Sequence, residues 1–152
     1  MKILGLDSSG IVASVAIVED ENLIAEYTVN YKKTHSQTLL PMLHELVKMT
    51  ELDLDTIDAI AVAAGPGSFT GLRIGSATAK GLGLALKKPL VEIPTVDALA
   101  YNLYDSRALI CPIMDARRNQ VYTGIYRFQE HKLVTVEAQM AVPMAEMIEK
   151  LN

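Results

Sequence analysis

The sequence contains no tryptophan and a single cysteine, Cys111. One cysteine excludes an internal disulfide and fits a reducing compartment. Basic residues are scarce as well: 14 Lys and Arg stand against 18 Asp and Glu, a net charge of −4. That balance argues against tight nucleic-acid binding by the chain alone, which needs a basic face. No apolar run reaches the length that crosses a bilayer, and Asp7 comes too early for a secretory leader. These absences point to a soluble, cytoplasmic protein. What is present is apolar material: 50% of the residues are hydrophobic, 21% are charged, and mean hydropathy is +0.22. A chain of 152 residues suits one domain, or one domain plus part of a second.

The most informative stretch is Gly65-Pro66-Gly67-Ser68-Phe69-Thr70-Gly71-Leu72-Arg73-Ile74-Gly75. It follows the apolar run Ala59-Ile60-Ala61-Val62-Ala63-Ala64 and opens a long helical pattern. A buried strand, a glycine turn and a helix start can together hold a phosphate. The turn offers converging N–H groups and the helix offers its positive dipole end. The same order can also be purely structural, because glycine permits a tight reversal. Sequence alone leaves both readings open.

Residues 2–7, 12–19 and 23–30 read as three strands joined by short turns, an antiparallel meander. Helical spacing follows over 34–49, a strand over 59–64, a helix over 70–86, a strand over 90–93 and a proline-opened helix over 94–104. Strands alternating with helices imply parallel pairing. The expected fold is therefore α/β: a ribonuclease H-like, actin-like ATPase (ASKHA) lobe of three antiparallel strands and βαβ units, spanning 1–105. Residues 108–114, 120–128 and 133–138 read as further strands and 143–151 as a helix, as if a second similar lobe begins over 106–152.

Four motifs, in this order, resemble the bacterial TsaB (YeaZ) family. They are Ile3-Leu4-Gly5-Leu6-Asp7-Ser8-Ser9, His35-Ser36-Gln37-Thr38-Leu39-Leu40-Pro41, the 65–75 run, and Met114-Asp115-Ala116-Arg117-Arg118-Asn119-Gln120-Val121-Tyr122. The resemblance covers the whole chain, and relative to the family the second lobe is truncated. It implies a non-catalytic dimerisation or scaffold subunit that binds and activates the TsaD transferase. The product is N6-threonylcarbamoyladenosine at position 37 of tRNA. It further implies a TsaE-like ATPase as a second partner, contact with tRNA only through the complex, and a homodimer when isolated. The alternatives are a small actin-like-fold ATPase or sugar-kinase-like enzyme, and a glycoprotease-like peptidase.

In actin-like folds the aspartate after the first strand serves the nucleotide. Asp7, Ser8, Ser9, Gly65 and Gly67 are therefore candidates for a vestigial nucleotide site. The rival reading of Asp7 is a turn cap, since Asp and Ser favour such turns. The opposing turn carries Arg117 where a bare backbone is needed, and a cleft with one wall does not enclose a nucleotide. The expectation is no cofactor on this chain alone, with ATP or ADP confined to the interface of the complex. The transferase binds metal through two histidines four apart; here His35 is followed at that spacing by Leu39, so no metal is expected. Ser68 lacks the Gly-x-Ser-x-Gly elbow and Cys111 lies in an apolar strand without an acid–base partner.

The helices carry apolar stripes. Leu39, Met42, Leu46 and Met49 form one, with Leu40, Leu43 and Val47 beside it, a wide arc for a helix that covers a sheet. Gly71, Gly75, Ala79 and Gly83 form a flat ridge at four-residue spacing, and glycine costs about 1 kcal/mol in a helix interior. The ridge serves either this lobe's own sheet or a partner's backbone. The double stripe tips the reading toward partner docking through Leu39, Met42, Leu46, Met49, Arg73, Gly75, Ala79 and Gly83. Lys32, Lys33, Arg73, Lys80, Lys87 and Lys88 are the basic residues a bound tRNA would meet.

Overall fold

The computed structural model describes residues 1–31 and 35–151. The expectations that fall on Lys32, Lys33 and the first residue of the helix pattern, Thr34, lie outside the described residues. The chain divides into two compact units, Met1–Ile93 and Pro94–Asn152.

The first unit is built on a sheet ordered β3-β2-β1-β4-β5. Its strands are β1 (Lys2–Asp7), β2 (Ala13–Glu19), β3 (Asn22–Val29), β4 (Ala59–Gly65) and β5 (Leu90–Pro94). β1 runs antiparallel to β2, β2 antiparallel to β3, and β1 parallel to β4. Register aligns Leu4 with Ile17 and Ile60, and Leu6 with Val15 and Val62. Side chains alternate across a strand, so these six point to one face. There they form a core with Leu39, Met42, Leu43 and Leu46 of α1 (His35–Thr50) and Ala79 of α2 (Phe69–Leu86). Fully burying each aliphatic side chain contributes about 1.5–3 kcal/mol. α2 stops at Lys87, which takes a left-handed conformation (φ 55°) and donates its N–H to Gly83 O. Pro89, two residues on, has no N–H with which to continue a helix.

The second unit is a three-stranded antiparallel sheet ordered β6-β7-β8. Its elements are α3 (Thr95–Ala100), β6 (Ile113–Arg117), β7 (Gln120–Gln129), β8 (Lys132–Pro143) and α4 (Met144–Leu151). Val96 and Ala100 of α3 bury against Ile110 and Tyr126, whereas Met147 of α4 buries with Val121, Ile125 and Val142. Tyr126 and Val121 lie an odd number of places apart in β7, and the two clusters fill opposite faces of the sheet.

Two boundaries differ from the sequence reading. The helix expected within the 1–105 lobe groups with the second unit, because its apolar residues pack on β7. The strand expected over 108–114 is shifted to Ile113–Arg117, leaving only a single bridge between Ile110 and Tyr126. Pro112 cannot donate to a ladder, and the turn falls on Arg117, Arg118 and Asn119, all with positive φ.

Candidate functional site

Two features of the first unit bear on function: the corner where the glycine turn meets the end of β1, and the outer faces of α1 and α2.

At the corner, Asp7, Ser8 and Ser9 meet the turn after β4, where Gly67 lies against Ser9, whereas Gly65 lies against Leu72. Ser9 N–H donates to Asp7 Oδ1 at 2.7 Å. Ser68 N–H donates to Ser9 O at 2.6 Å. Ser8 Oγ donates to Gly71 O at 2.9 Å. Ser68 caps α2, its Oγ accepting from Gly71 N at 3.3 Å. His35 Nε2 lies 2.8 Å from Gly10 O and ties α1 to the same turn. Ser8 and Ser9 are 2% and 3% exposed.

The glycines are explained by this contact. A Cβ on Gly67 would stand 2.4 Å from Ser9 O, one on Gly71 2.0 Å from Ser8 O, and one on Gly75 2.5 Å from Ser8 Oγ. Gly65 alone among the glycines has a positive φ, 105°, which the reversal at the end of β4 requires. At this corner the Ser9 and Ser68 amides and the Ser8 hydroxyl, which a cradle would aim outward, are bonded within the turn itself. The sequence suggested a cradle because close backbone approach and phosphate binding ask for the same residue.

The partner-docking expectation needs correction in its residues. Leu39, Met42 and Leu46 are 1%, 3% and 2% exposed and sit in the unit's own core. Gly75, Ala79 and Gly83 are also buried. A Cβ on Gly83 would meet Leu90 Cδ2 at 2.8 Å and one on Gly75 would meet Ser8 and Val62, so the ridge serves β4, β5 and the turn after β1 rather than an outside helix. A helix laid on a sheet buries one arc of about 100°, and on α1 that arc takes Leu43 from the second stripe as well. Of the eight residues, Met49 and Arg73 face solvent.

The outer faces carry Leu40, from the second stripe of α1, together with apolar residues of α2 that lie outside the expected docking set. Leu40 on α1 is 51% exposed, and on α2 Phe69 and Leu84 are 70% and 84% exposed. Arg73 stacks its guanidinium 4.1 Å above the Phe69 ring, a cation–π contact that holds an exposed aromatic in one orientation. Phe69, Arg73, Ala77, Lys80 and Leu84 recur at three- and four-residue steps, opposite the glycine ridge. That phase was available in the sequence once the ridge is placed inward. Lys80 and Lys87 are exposed, whereas Lys88 donates from Nζ to Asp55 O at 2.8 Å.

The remaining titratable candidates are dispersed. Among the described residues no three His, Cys, Asp or Glu side chains converge. His44 is exposed on α1, and His131 Nδ1 lies 3.1 Å from Asp105. Cys111 Sγ lies 3.3 Å from Thr123 Oγ1. Tyr126 donates to Asp97 Oδ1 at 2.7 Å. Burial first, and then that bond, push its phenol well above the usual tyrosine range. No helix among the described residues is long and apolar enough to cross a membrane.

Comparison with known proteins places this geometry. The family model described as TsaD, tRNA N6-adenosine threonylcarbamoyltransferase, matches residues 22–152. The tRNA threonylcarbamoyladenosine biosynthesis protein TsaB of Bacillus subtilis is 38% identical over 152 residues, covering 100% of this chain and 66% of that protein. YeaZ from Pseudomonas aeruginosa superposes with a TM-score of 0.84 at 30% identity, over 93% of this chain and 66% of that one. The chain thus spans just under two thirds of the length of these relatives. The activator of 2-hydroxyisocaproyl-CoA dehydratase from Clostridium difficile, with bound ADPNP, superposes with a TM-score of 0.53 at 16% identity, over 98% of this chain and 53% of that one. It shares the fold, and the actin-like α/β architecture expected from the strand order is the one observed.

Proposed function

The chain belongs to the family of that model, on its TsaB (YeaZ) side, and from that membership we propose that it is a non-catalytic docking subunit of the machinery that makes N6-threonylcarbamoyladenosine in tRNA. It acts in the cytoplasm by pairing with a TsaD-like transferase and activating it, through the outer faces of α1 and α2. A TsaE-like ATPase joins the assembly, and tRNA is met through the complex. In isolation the same faces pair two copies of the chain.

The observation that carries the reading is the set Leu40, Phe69, Arg73 and Leu84, large and exposed on two helices that touch each other. Apolar residues grouped on a folded surface mark interaction sites, and an aromatic–arginine pair is the kind of anchor that dominates an interface. The non-catalytic part is supported by the corner, where the Ser8 hydroxyl and the Ser9 and Ser68 amides are engaged within the fold. A nucleotide at the interface, if the assembly holds one, then depends on groups from the partner rather than on Ser8 and Ser9.

The test mixes the purified chain with its TsaD-like partner and follows heteromer formation by sizing chromatography and calorimetry. Leu40→Glu combined with Leu84→Glu leaves the circular dichroism spectrum unchanged and weakens pairing about 30-fold or more, the equivalent of roughly 2 kcal/mol. Normal pairing by that folded double variant would place the interface elsewhere. Rapid ATP hydrolysis or peptide cleavage by the isolated chain, with no heteromer, would sustain the enzymatic alternatives instead.

A further inference from the structure

Between β3 and α1 lies a cleft of about 320 Å³ that the docking surface does not use. Tyr27 and Tyr31 line one side, and Gln37, Pro41, Met42 and Glu45 line the other. Gln37, Pro41 and Glu45 stand at successive four-residue steps, which sets them in one row along the helix. The row has an uncommon polarity. Pro41 lies inside α1 and has no N–H to give to the carbonyl of Gln37. One turn further on, Glu45 presents a carboxylate that has no ion-pair partner among the described residues. A carbonyl denied its helical donor and an unpaired carboxylate are both acceptors. Across from them stand the aromatic rings of Tyr27 and Tyr31, 41% and 65% exposed. No described lining residue is basic.

Acceptors in a row, aromatic faces opposite and an aliphatic floor at Met42 and Pro41 form a receptor for an organic cation. We propose that the cleft binds a small aliphatic amine, a primary ammonium or guanidinium on a short carbon chain. The charged end meets Glu45 and the Gln37 carbonyl, and the stem lies on Met42 and Pro41 between the tyrosines. The volume lies at the lower end of the range for small-molecule sites. An anion or phosphate ester is disfavoured by Glu45. The inference does not depend on the docking reading, since Leu40 and Leu84 take no part in it.

The experiment titrates the full chain with agmatine, with butanol as the neutral counterpart and inorganic phosphate as the anion, by calorimetry and amide chemical-shift mapping. Agmatine binds saturably, with a dissociation constant of about 1 mM or tighter, and its shifts map to residues 37–45 and Tyr27. Glu45→Gln, an exposed and nearly isosteric change, weakens binding about fivefold or more. Pro41→Ala restores the amide donor to the Gln37 carbonyl, so it raises the melting temperature yet lowers affinity. A purely structural role of the proline would give only the first effect. The proposal is overturned if agmatine fails to saturate by about 10 mM, if butanol or phosphate binds as well as agmatine does, or if both variants bind agmatine like the parent chain.

Discussion

Placing an alanine at Gly71 separates the two meanings of the glycine turn. In the structure Gly71 lies in the first turn of α2 without a positive φ, so alanine's intrinsic helix preference alone adds up to about 1 kcal/mol of stability. Against that, the new Cβ stands 2.0 Å from Ser8 O, a backbone atom at the end of β1. Carbon and oxygen need more than 3 Å, so the helix and the turn must part by roughly 1 Å, an overpacking cost of about 1–3 kcal/mol. Parting also breaks the bond from Ser8 Oγ to Gly71 O, and Ser8 is 2% exposed. A buried hydroxyl left without a partner costs a further 1–3 kcal/mol or so. The net is a loss of about 3 kcal/mol, or roughly 6–12 °C in melting temperature for a chain of this size. Gly81, ten residues along the same helix, has nothing within 4 Å of its Cβ. There the helix term acts alone, and Gly81→Ala raises stability by up to about 1 kcal/mol.

The assay is thermal unfolding followed by circular dichroism on both single variants, without ligand. A phosphate cradle would need Gly71 only when an anion is bound, so the free protein would gain from alanine at both sites. Gly71→Ala melting at or above the parent would refute the close-packing account of the corner.

Other outcomes follow from single side chains. Thr95 Oγ1 is buried without a hydrogen-bond partner, so Thr95→Val stabilises by about 1 kcal/mol in urea unfolding. Tyr126→Phe removes the bond to Asp97 and costs about 1–2 kcal/mol at neutral pH by the same measurement. The folded phenol of Tyr126 titrates above its unfolded value, so its stabilisation is complete below about pH 10 and is lost as pH rises beyond that. In a pH series of melts the parent therefore declines more steeply in alkali than Tyr126→Phe. Leu46→Glu abolishes folding rather than pairing, because Leu46 is 2% exposed in the core; a cooperative melt near that of the parent would contradict the packing.

The sheet was legible because its information is periodic. Ala13, Val15 and Ile17 alternate with Ser14, Ala16 and Val18, and the structure buries the first set. The long apolar run of β4 fits a strand flanked by β1 and β5. Periodicity fixes the faces of a strand because there are only two, and a shift by one residue exchanges them completely. In the second unit the pattern is less decisive at β6, where Pro112 and three left-handed residues at 117–119 move the strand toward the hairpin tip. Those φ values belong to Arg and Asn, which carry a weaker turn signature than glycine.

On α1 the apolar residues fill more than one face, and nothing local says which arc meets the sheet. At about 100° per residue, Leu39, Met42, Leu43 and Leu46 fall within a single arc, with Leu40 and Met49 on opposite shoulders of it. The arc is chosen by contact with Leu4, Val15 and Ile17 across the sheet, which lie far away in sequence. The same logic decides α2, where the ridge of small residues turns inward because only Gly71 and Gly75 allow Ser8 to lie against the helix. Once that inward face is fixed, Phe69, Arg73 and Leu84 must point outward, and a docking surface built on them is separable from the core. Met49, on the shoulder of α1 away from Leu40, is then peripheral to that surface. Met49→Glu accordingly weakens pairing far less than Leu40→Glu, and equal losses in calorimetry would move the centre of the interface toward β3.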